Sequence, residues 1–431
     1  MDNKEKTTAT VSRIVPDGTI IELVYISGEE KTLLAITAGG VIQYVQKIEL
    51  ASGEILVPLR ASHNLIKHRV VLLPSVATEY GSRALLLEEI ANYIRRYVTL
   101  SETFTEIAAH YALLSWVYDV FNEVPYLRWK GDFGSGKTRA LAIIGSICYK
   151  PIFASGASTV SPIFHTLDLF KGALVFDEAD FRFSDEKAEV TKIFNNGSVR
   201  GFPVLRASMN DKKDFDPRAF EVFGPKLIGM REVFSDFALE SRFLTEEMTG
   251  APASTVPISL PDRQREEALA LRNKLLMFRM RERGSIKIDA TLAGETLSAR
   301  SNQILLPLLS VTGSDDVRAR MRALAEEQAE DLVRSRSTSV EALILETIIE
   351  LVAKREGAEL LALADIRRAA LRLYGHEFDR PLTSRFLGSV IRNKLRMRSY
   401  KSGVYMVRVP DNGEMRRLAK RFGVDSKSTA Q

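Results

Sequence analysis

One eight-residue string constrains this chain more than any other feature. Gly131-Asp132-Phe133-Gly134-Ser135-Gly136-Lys137-Thr138 fits the pattern G-x-x-x-x-G-K-[ST] at every position. Glycines belong there because backbone N–H groups must turn inward to cradle phosphate oxygens, and a Cβ would obstruct that turn. The lysine reaches the β and γ oxygens, and the hydroxyl after it holds a divalent cation. The flanks agree: the apolar strand PYLRWK precedes the string and the apolar helix RALAIIGSIC follows it. Strand, glycine turn and helix N-terminus in line form a ready anion site, so a parallel α/β core is expected.

A complementary half lies 40 residues beyond Lys137, where GALVFDE runs from Gly172 to Glu178. An apolar strand ending in two acids suits nucleotide hydrolysis. Asp177 holds Mg2+ with Thr138, while Glu178 orients and deprotonates the attacking water. The adjacent glutamate favours hydrolysis over a switch-type GTPase. ATP and Mg2+ are the expected ligands, and Gly131 to Arg139 (Arg139 included) form the expected nucleotide cradle.

Around this core the period of the sequence changes several times. Residues 19–26 and 31–37 read as strands about the turn Ser27-Gly28-Glu29-Glu30, and Ala51-Ser52-Gly53 marks a second hairpin. Helical spacing takes over at 84–98 and 101–121, with Ser101 as a start signal. TGAPASTVPISLPDR (249–263) reads as a connecting loop, 264–335 as charged helices, and RSRSTS (334–339) as a linker. The expected domains are a β-rich accessory domain of unassigned role (1–83), the ATPase core (84–248), a helical lid and linker (249–336), a basic domain (337–423) and a loose tail (424–431).

Composition narrows the setting. The net charge is +5, yet from Arg380 onward 13 Lys or Arg stand against three acids, so the rest of the chain is slightly acidic. A basic end points to nucleic acid or another anionic surface. One cysteine, Cys148, excludes an internal disulfide framework, and the polar start MDNKEKTTAT lacks the apolar stretch of a signal peptide. No run approaches a membrane span, so a cytoplasmic protein is expected. Five scattered histidines give no metal cluster.

From about 85 to 245 the sequence resembles the AAA+ helicase modules of phage, plasmid and genomic-island replication proteins, related to superfamily III and minichromosome-maintenance-type helicases. The segments that carry the likeness are LLSWVYDVF, GDFGSGKTRAL, LVFDEAD, FNNGSVRGFPVLR, FEVFGPKLIGM and ALESRFLTEEM. The resemblance implies that the polar turn NDKKDFDPR, with Lys212 and Lys213, projects into a ring channel and grips the DNA backbone. It implies that Arg242 is an arginine finger serving the neighbouring subunit's γ-phosphate, and that Arg300, opening a lid helix, matches a sensor-2 arginine. A homo-oligomeric ring, a hexamer by family expectation, follows. One departure stands out: KLIGMREV offers Met230 and Arg231 where related motors carry a small polar residue, and that role stays unassigned.

The basic end carries three helical patterns and a hairpin, the layout of a winged helix. Thr383 or Ser384 caps the third helix; Phe386, Leu387, Val390, Ile391 and Leu395 form its apolar face. Arg385, Arg392 and Lys394 line the other face, with Arg398 and Lys401 on the wing, as expected for a module gripping duplex DNA. The expected fold is multidomain α/β: a P-loop AAA+ core with parallel sheet and helical lid, an N-terminal β-rich domain and a C-terminal winged helix. The expected function is an ATP-dependent DNA helicase or translocase in replication, with single strand in the channel. Two alternatives stay open: a replication initiator, loader or transposition regulator that does not unwind, and a signalling or defence ATPase.

Overall fold

The computed structural model describes the chain apart from residues 1–6, 39–40, 178–183, 208–214, 235, 251–255, 338, 356, 379–380 and 425–431, and apart from the side chains of 38, 184–188, 335, 336 and 402. Glu178, Lys212 and Lys213 lie outside the described residues. Residues Met1–Glu326 form one compact unit and Glu327–Gln431 a second.

The first unit begins with short strands: β1 (Thr7–Thr10), β2 (Ser12–Ile14), β3 (Ile20–Ile26), β4 (Lys31–Ala38), β5 (Val41–Val45), β6 (Ile48–Glu49) and β7 (Ile55–Pro58). They make an antiparallel sheet β2-β3-β4-β5 and a small sheet β1-β7-β6 in which β1 runs parallel to β7. Both expected hairpins form, β3 with β4 and β6 with β7. Ile20 and Val24 of β3 enter one apolar cluster with Tyr93 and Ile94, while Ile21 and Leu23 enter another with Phe164 and Phe176. Burial on both faces is why this strand reads as an apolar run broken only by Glu22 and not as an alternation.

Two helices follow, Arg83–Tyr97 and Glu102–Ser115. The Ser101 hydroxyl accepts from Phe104 N–H at 3.2 Å, the expected cap. The second helix ends at Ser115, short of the expected 121, and Tyr118–Val120 forms a tight 3-10 turn.

The core supplies β8 (Tyr126–Lys130), β9 (Ile152–Ser155), β10 (Leu174–Asp177), β11 (Val204–Arg206), β12 (Arg218–Phe220), β13 (Lys226–Met230) and β14 (Phe243–Glu247). Five of them build a parallel sheet in the order β14-β8-β13-β10-β9, and β11 pairs with β12 as a separate hairpin. Alternate residues face opposite layers: Leu127, Trp129, Val175 and Leu227 pack with helix Lys137–Gly145, and Tyr126, Phe176, Ile228 and Phe243 pack with Phe194 on the other side. After the sheet come the helices Asp262–Glu282, Ala299–Val311 and Asp315–Ser337. The expected linker at 334–339 is a correction: helix continues through Ser337, and the Ser339 hydroxyl caps the next one.

A buried charge network binds these parts. Lys150 Nζ lies 2.6 Å and Arg279 Nε 2.8 Å from the Glu22 carboxylate, and Arg279 Nη2 lies 2.9 Å from Asp119. Tyr149 and Ser12 donate further hydrogen bonds to Glu22, and Arg283 meets Asp119 at 3.0 Å. One carboxylate thus joins β3, the segment after helix Lys137–Gly145, and helix Asp262–Glu282.

The second unit carries helix Val340–Lys354, β15 (Leu360–Ala362), helix Leu363–Tyr374, helix Ser384–Ser389 with a π-helical turn Val390–Lys394, β16 (Ser399–Ser402) and β17 (Val404–Arg408). The three strands form an antiparallel sheet in the order β15-β17-β16. A final helix, Asn412–Phe422, is capped by Asp411 and buries Met415, Leu418, Ala419 and Phe422; its periodicity escaped the sequence reading.

Candidate functional site

The loop after β8 has the shape its glycines predict. Gly134 (φ 76°) and Gly136 (φ 97°) take left-handed backbone that other residues resist. At Gly131 an added Cβ would stand 2.5 Å from the Met248 carbonyl oxygen and 2.8 Å from Ser135 Oγ, so this glycine is sterically required. Lys137 Nζ donates to the carbonyl oxygens of Gly131 and Asp132, both at 2.7 Å, which sets the ammonium inside the curve of the loop. The N-terminus of helix Lys137–Gly145 aims its free N–H groups into the same space. Phe133, at the tip, is 95% exposed.

Asp177 closes β10, and its Oδ2 accepts from the Thr138 hydroxyl at 2.7 Å. The expected cation ligands therefore meet, although β10 is not the neighbour of β8. The strand between them is β13, and Gly229 within it makes the approach possible: a Cβ there would stand 2.9 Å from Asp177 Oδ1 and 2.9 Å from Leu141 Cδ1. Gly229 was missed by sequence reasoning; the available signal was a glycine inside an otherwise apolar strand. Met230 is buried, its sulfur 3.9 Å from Arg128 Nη1, so its side chain turns into the core.

The stretch after β14 is not a bare connector. Met248 N–H donates to the Lys130 carbonyl at 2.6 Å, and a Cβ on Gly250 would lie 3.7 Å from Ser135 Cα. Arg139 donates to the carbonyl oxygens of Pro257 and Ile258. Its guanidinium, expected at the nucleotide, instead holds this segment beside the loop helix.

Arg242 and Arg300 sit elsewhere. The Arg242 carbonyl accepts from Tyr126 N–H at 2.9 Å, at the amino end of β8. Four residue steps along the strand separate that end from Lys130, about 13 Å. Neither arginine is therefore beside the loop after β8 of its own chain. The Arg242 guanidinium is half-buried and donates to Asn195 Oδ1; its Nε has no partner among the described residues. Asn195 in turn donates to Asp236 at 3.2 Å. Arg300 donates to the Ala238 carbonyl at 3.0 Å. Burial, and then the nearby charge of Arg300, push the Arg242 pKa down.

A bidentate ion pair fixes the segment carrying Arg242. Arg128 Nη1 and Nη2 each lie 2.7 Å from a Glu240 oxygen, with both side chains about as buried as core leucines, at 6% and 5% exposure. Glu240 also accepts from Phe234 N–H at 2.6 Å. Nearby, Lys226 is fully buried and donates to the carbonyls of Val222 (2.8 Å), Gly224 (3.1 Å) and Gly197 (3.2 Å); burial pushes its pKa down to about 7.

In the second unit Arg385, Arg392, Lys394, Arg398 and Lys401 are all exposed. Thr383 caps the third helix through Phe386 N–H at 3.2 Å, and Leu387, Val390, Ile391 and Leu395 are buried as expected. Among the described residues no group of three or more His, Cys, Asp or Glu is arranged to hold a metal, and no helix is long and apolar enough to cross a membrane.

No family model matches the chain, and no curated protein matches it. Among solved structures it is similar to the apo C-terminal region of NrS-1, at 11% identity, covering 90% of this chain and 97% of that one with a TM-score of 0.39. It is also similar to Cdc6p of Pyrobaculum aerophilum (11% identity, 75% and 95% coverage, TM-score 0.19). A third similar structure is Aeropyrum pernix ORC1 in complex with DNA (13% identity, 75% and 94% coverage, TM-score 0.22).

Proposed function

We propose that this chain is a DNA-directed P-loop ATPase of the AAA+ type, working in replication as a ring-forming helicase or translocase. The observation that carries the reading is the meeting of Lys137, Thr138 and Asp177 at the carboxyl edge of a parallel sheet, where such folds bind ligands. Left-handed backbone at Gly134 and Gly136, and a Gly131 that a Cβ would crowd, suit a loop that meets phosphates with its backbone, so the residues fit a nucleoside triphosphate. Thr138 and Asp177 would hold Mg2+, which when bound would supply charge neutralisation for the phosphates. Lys137 reaches the same oxygens, and Glu178 takes the proton of the attacking water.

Arg242 acts on a neighbouring subunit's γ-phosphate; its place at the opposite edge of the sheet from its own loop supports this. Arg300, tied to the same corner, acts from that side too. The Lys212 and Lys213 turn follows one DNA strand. The second unit is a winged helix: three helices with a β15-β17-β16 sheet support this, and its third helix presents Arg385, Arg392 and Lys394 to duplex.

The test is ATP hydrolysis by the full chain alone, with single-stranded DNA and with duplex, using Lys137→Ala as the blank. Stimulation by single strands, lost in Lys212→Ala/Lys213→Ala, supports the motor. A sequence-specific footprint without strand displacement supports an initiator or loader instead. Hydrolysis indifferent to all DNA overturns both.

A further inference from the structure

The sheet of the second unit has two unlike faces. Leu361 and Val407 lie on one and join the apolar cluster containing Leu387, Ile391 and Leu395 of the third helix and its turn. Cross-strand partners share a face, so the register assigns the other. Leu360 opposes Arg408; Ala362 and Tyr400 flank Met406; Ser402 opposes Val404. Arg408 N–H donates to the Arg398 carbonyl at 2.9 Å, which extends the ladder and sets Arg398 across from Arg408.

This reverse face is apolar and open. Leu360 is 41%, Tyr400 44% and Val404 60% exposed, and none of them belongs to the cluster beneath. Exposed apolar side chains gathered on one face suit an interaction site. Arg398 and Arg408 are exposed, and neither forms an ion pair with a described residue. The residues the register assigns to this face include no acid.

We infer that the reverse face of the β15-β17-β16 sheet is a binding platform for unpaired single-stranded nucleic acid, separate from the duplex surface proposed for the third helix. Tyr400, beside Met406, provides a flat surface on which a base stacks. Arg398 and Arg408 stand at one end of that surface to neutralise the phosphates joining successive bases, and the missing carboxylates remove the main source of repulsion. A duplex hides the faces of its bases, so the platform selects separated strands. The wing then lies between two substrates: Lys401 is paired with Tyr405 on the third-helix side, and Arg398 and Tyr400 are on the reverse. The inference rests on the reading of this unit as DNA-binding, and the tests below separate the two.

The experiment uses the full chain with Lys212→Ala/Lys213→Ala as background, so that the other proposed single-strand contact is silent. Binding of a labelled oligothymidylate and of a blunt duplex is read by fluorescence anisotropy across salt concentrations. Tyr400→Ala weakens oligothymidylate binding about tenfold and Tyr400→Phe restores it, while duplex binding stays within about twofold. Arg398→Ala/Arg408→Ala lowers the slope of log affinity against log salt by about 1.4, the value for two single-strand phosphate contacts. Oligothymidylate carrying 5-iododeoxyuridine photo-crosslinks to Tyr400, located by mass spectrometry. Arg385→Ala/Arg392→Ala removes duplex binding alone; failure of that arm rejects the third-helix reading and leaves the platform standing. Unchanged oligothymidylate affinity in both Tyr400→Ala and the double arginine variant, with crosslinks elsewhere, overturns the platform. A shift of oligomeric state in these variants, with strand binding intact, identifies the face as an interface between copies and equally overturns it.

Discussion

The Thr138 hydroxyl donates to the Asp177 carboxylate across 2.7 Å, joining the first turn of the loop helix to a strand two places away in the sheet. Removing either side, as Thr138→Ala or Asp177→Asn, is expected to cut Mg2+-dependent ATP hydrolysis about a hundredfold, the usual scale for one preorganised electrostatic group. Nucleotide binding measured in chelator is expected to change little, since Lys137 and the loop amides remain. Equal loss of binding in chelator counts against a cation-holding role.

Gly229 admits no side chain. Gly229→Ala drives a methyl to 2.9 Å from both Asp177 Oδ1 and Leu141 Cδ1. The crowding is expected to cost about 1–3 kcal/mol of stability in urea unfolding. Hydrolysis falls further than stability does, because Asp177 is displaced from Thr138. A variant with full turnover would show that the strand yields without moving the carboxylate.

Much of this site was legible because it is local. Eight consecutive residues specify the loop, and an apolar run ending in Asp177 specifies the carboxylate that meets Thr138. Sheet order is not local: nothing in KLIGM says that β13 inserts between β8 and β10, so Gly229 looked like any strand glycine. The same limit hid Asn195, whose contact with Arg242 spans 47 residues. The helix Asn412–Phe422 was legible in principle from Asp411 and the spacing of Met415, Leu418 and Phe422, but a dense run of basic residues masked it. Glu178, Lys212 and Lys213 fall outside the described residues and rest on the sequence alone.

Arg128 and Glu240 form a buried pair whose halves are unequal to their sum. Glu240→Gln or Arg128→Met leaves the other charge buried and is expected to cost about 3–5 kcal/mol, read from urea unfolding. The double variant Arg128→Met/Glu240→Leu is expected to recover most of that loss. Additive losses would show that the pair is solvated in solution.

If hydrolysis needs one subunit's loop and its neighbour's arginine, two dead variants rescue each other. Lys137→Ala and Arg242→Ala are each expected to be inactive, and a mixture to regain activity at interfaces that unite an intact loop with an intact Arg242. A silent mixture, with mixed assembly confirmed by mass spectrometry, rejects the shared site.

Asp119 gives an acid-limb prediction. Burial alone would raise its pKa, but the charges of Arg279 and Arg283 overcome that and hold it at about 2. A carboxylate held below its unfolded value adds stability at pH above about 4 and loses it as pH falls toward 2, about 2 kcal/mol in all. Asp119→Asn is expected to be less stable at pH 7 and to show a flatter decline between pH 4 and 2. Parallel declines would place the acid sensitivity in other groups.

The Glu22 network also bears on how the protein can be dissected. Glu22 lies on an early strand, yet its carboxylate answers Lys150 and Arg279, both fully buried and one of them 257 residues away. A chain shortened to begin after the β-strands would leave buried Lys150 without its carboxylate and Arg279 with Asp119 alone. Such a fragment would unfold or clump, and its silence in an ATPase assay would say nothing about where the chemistry resides.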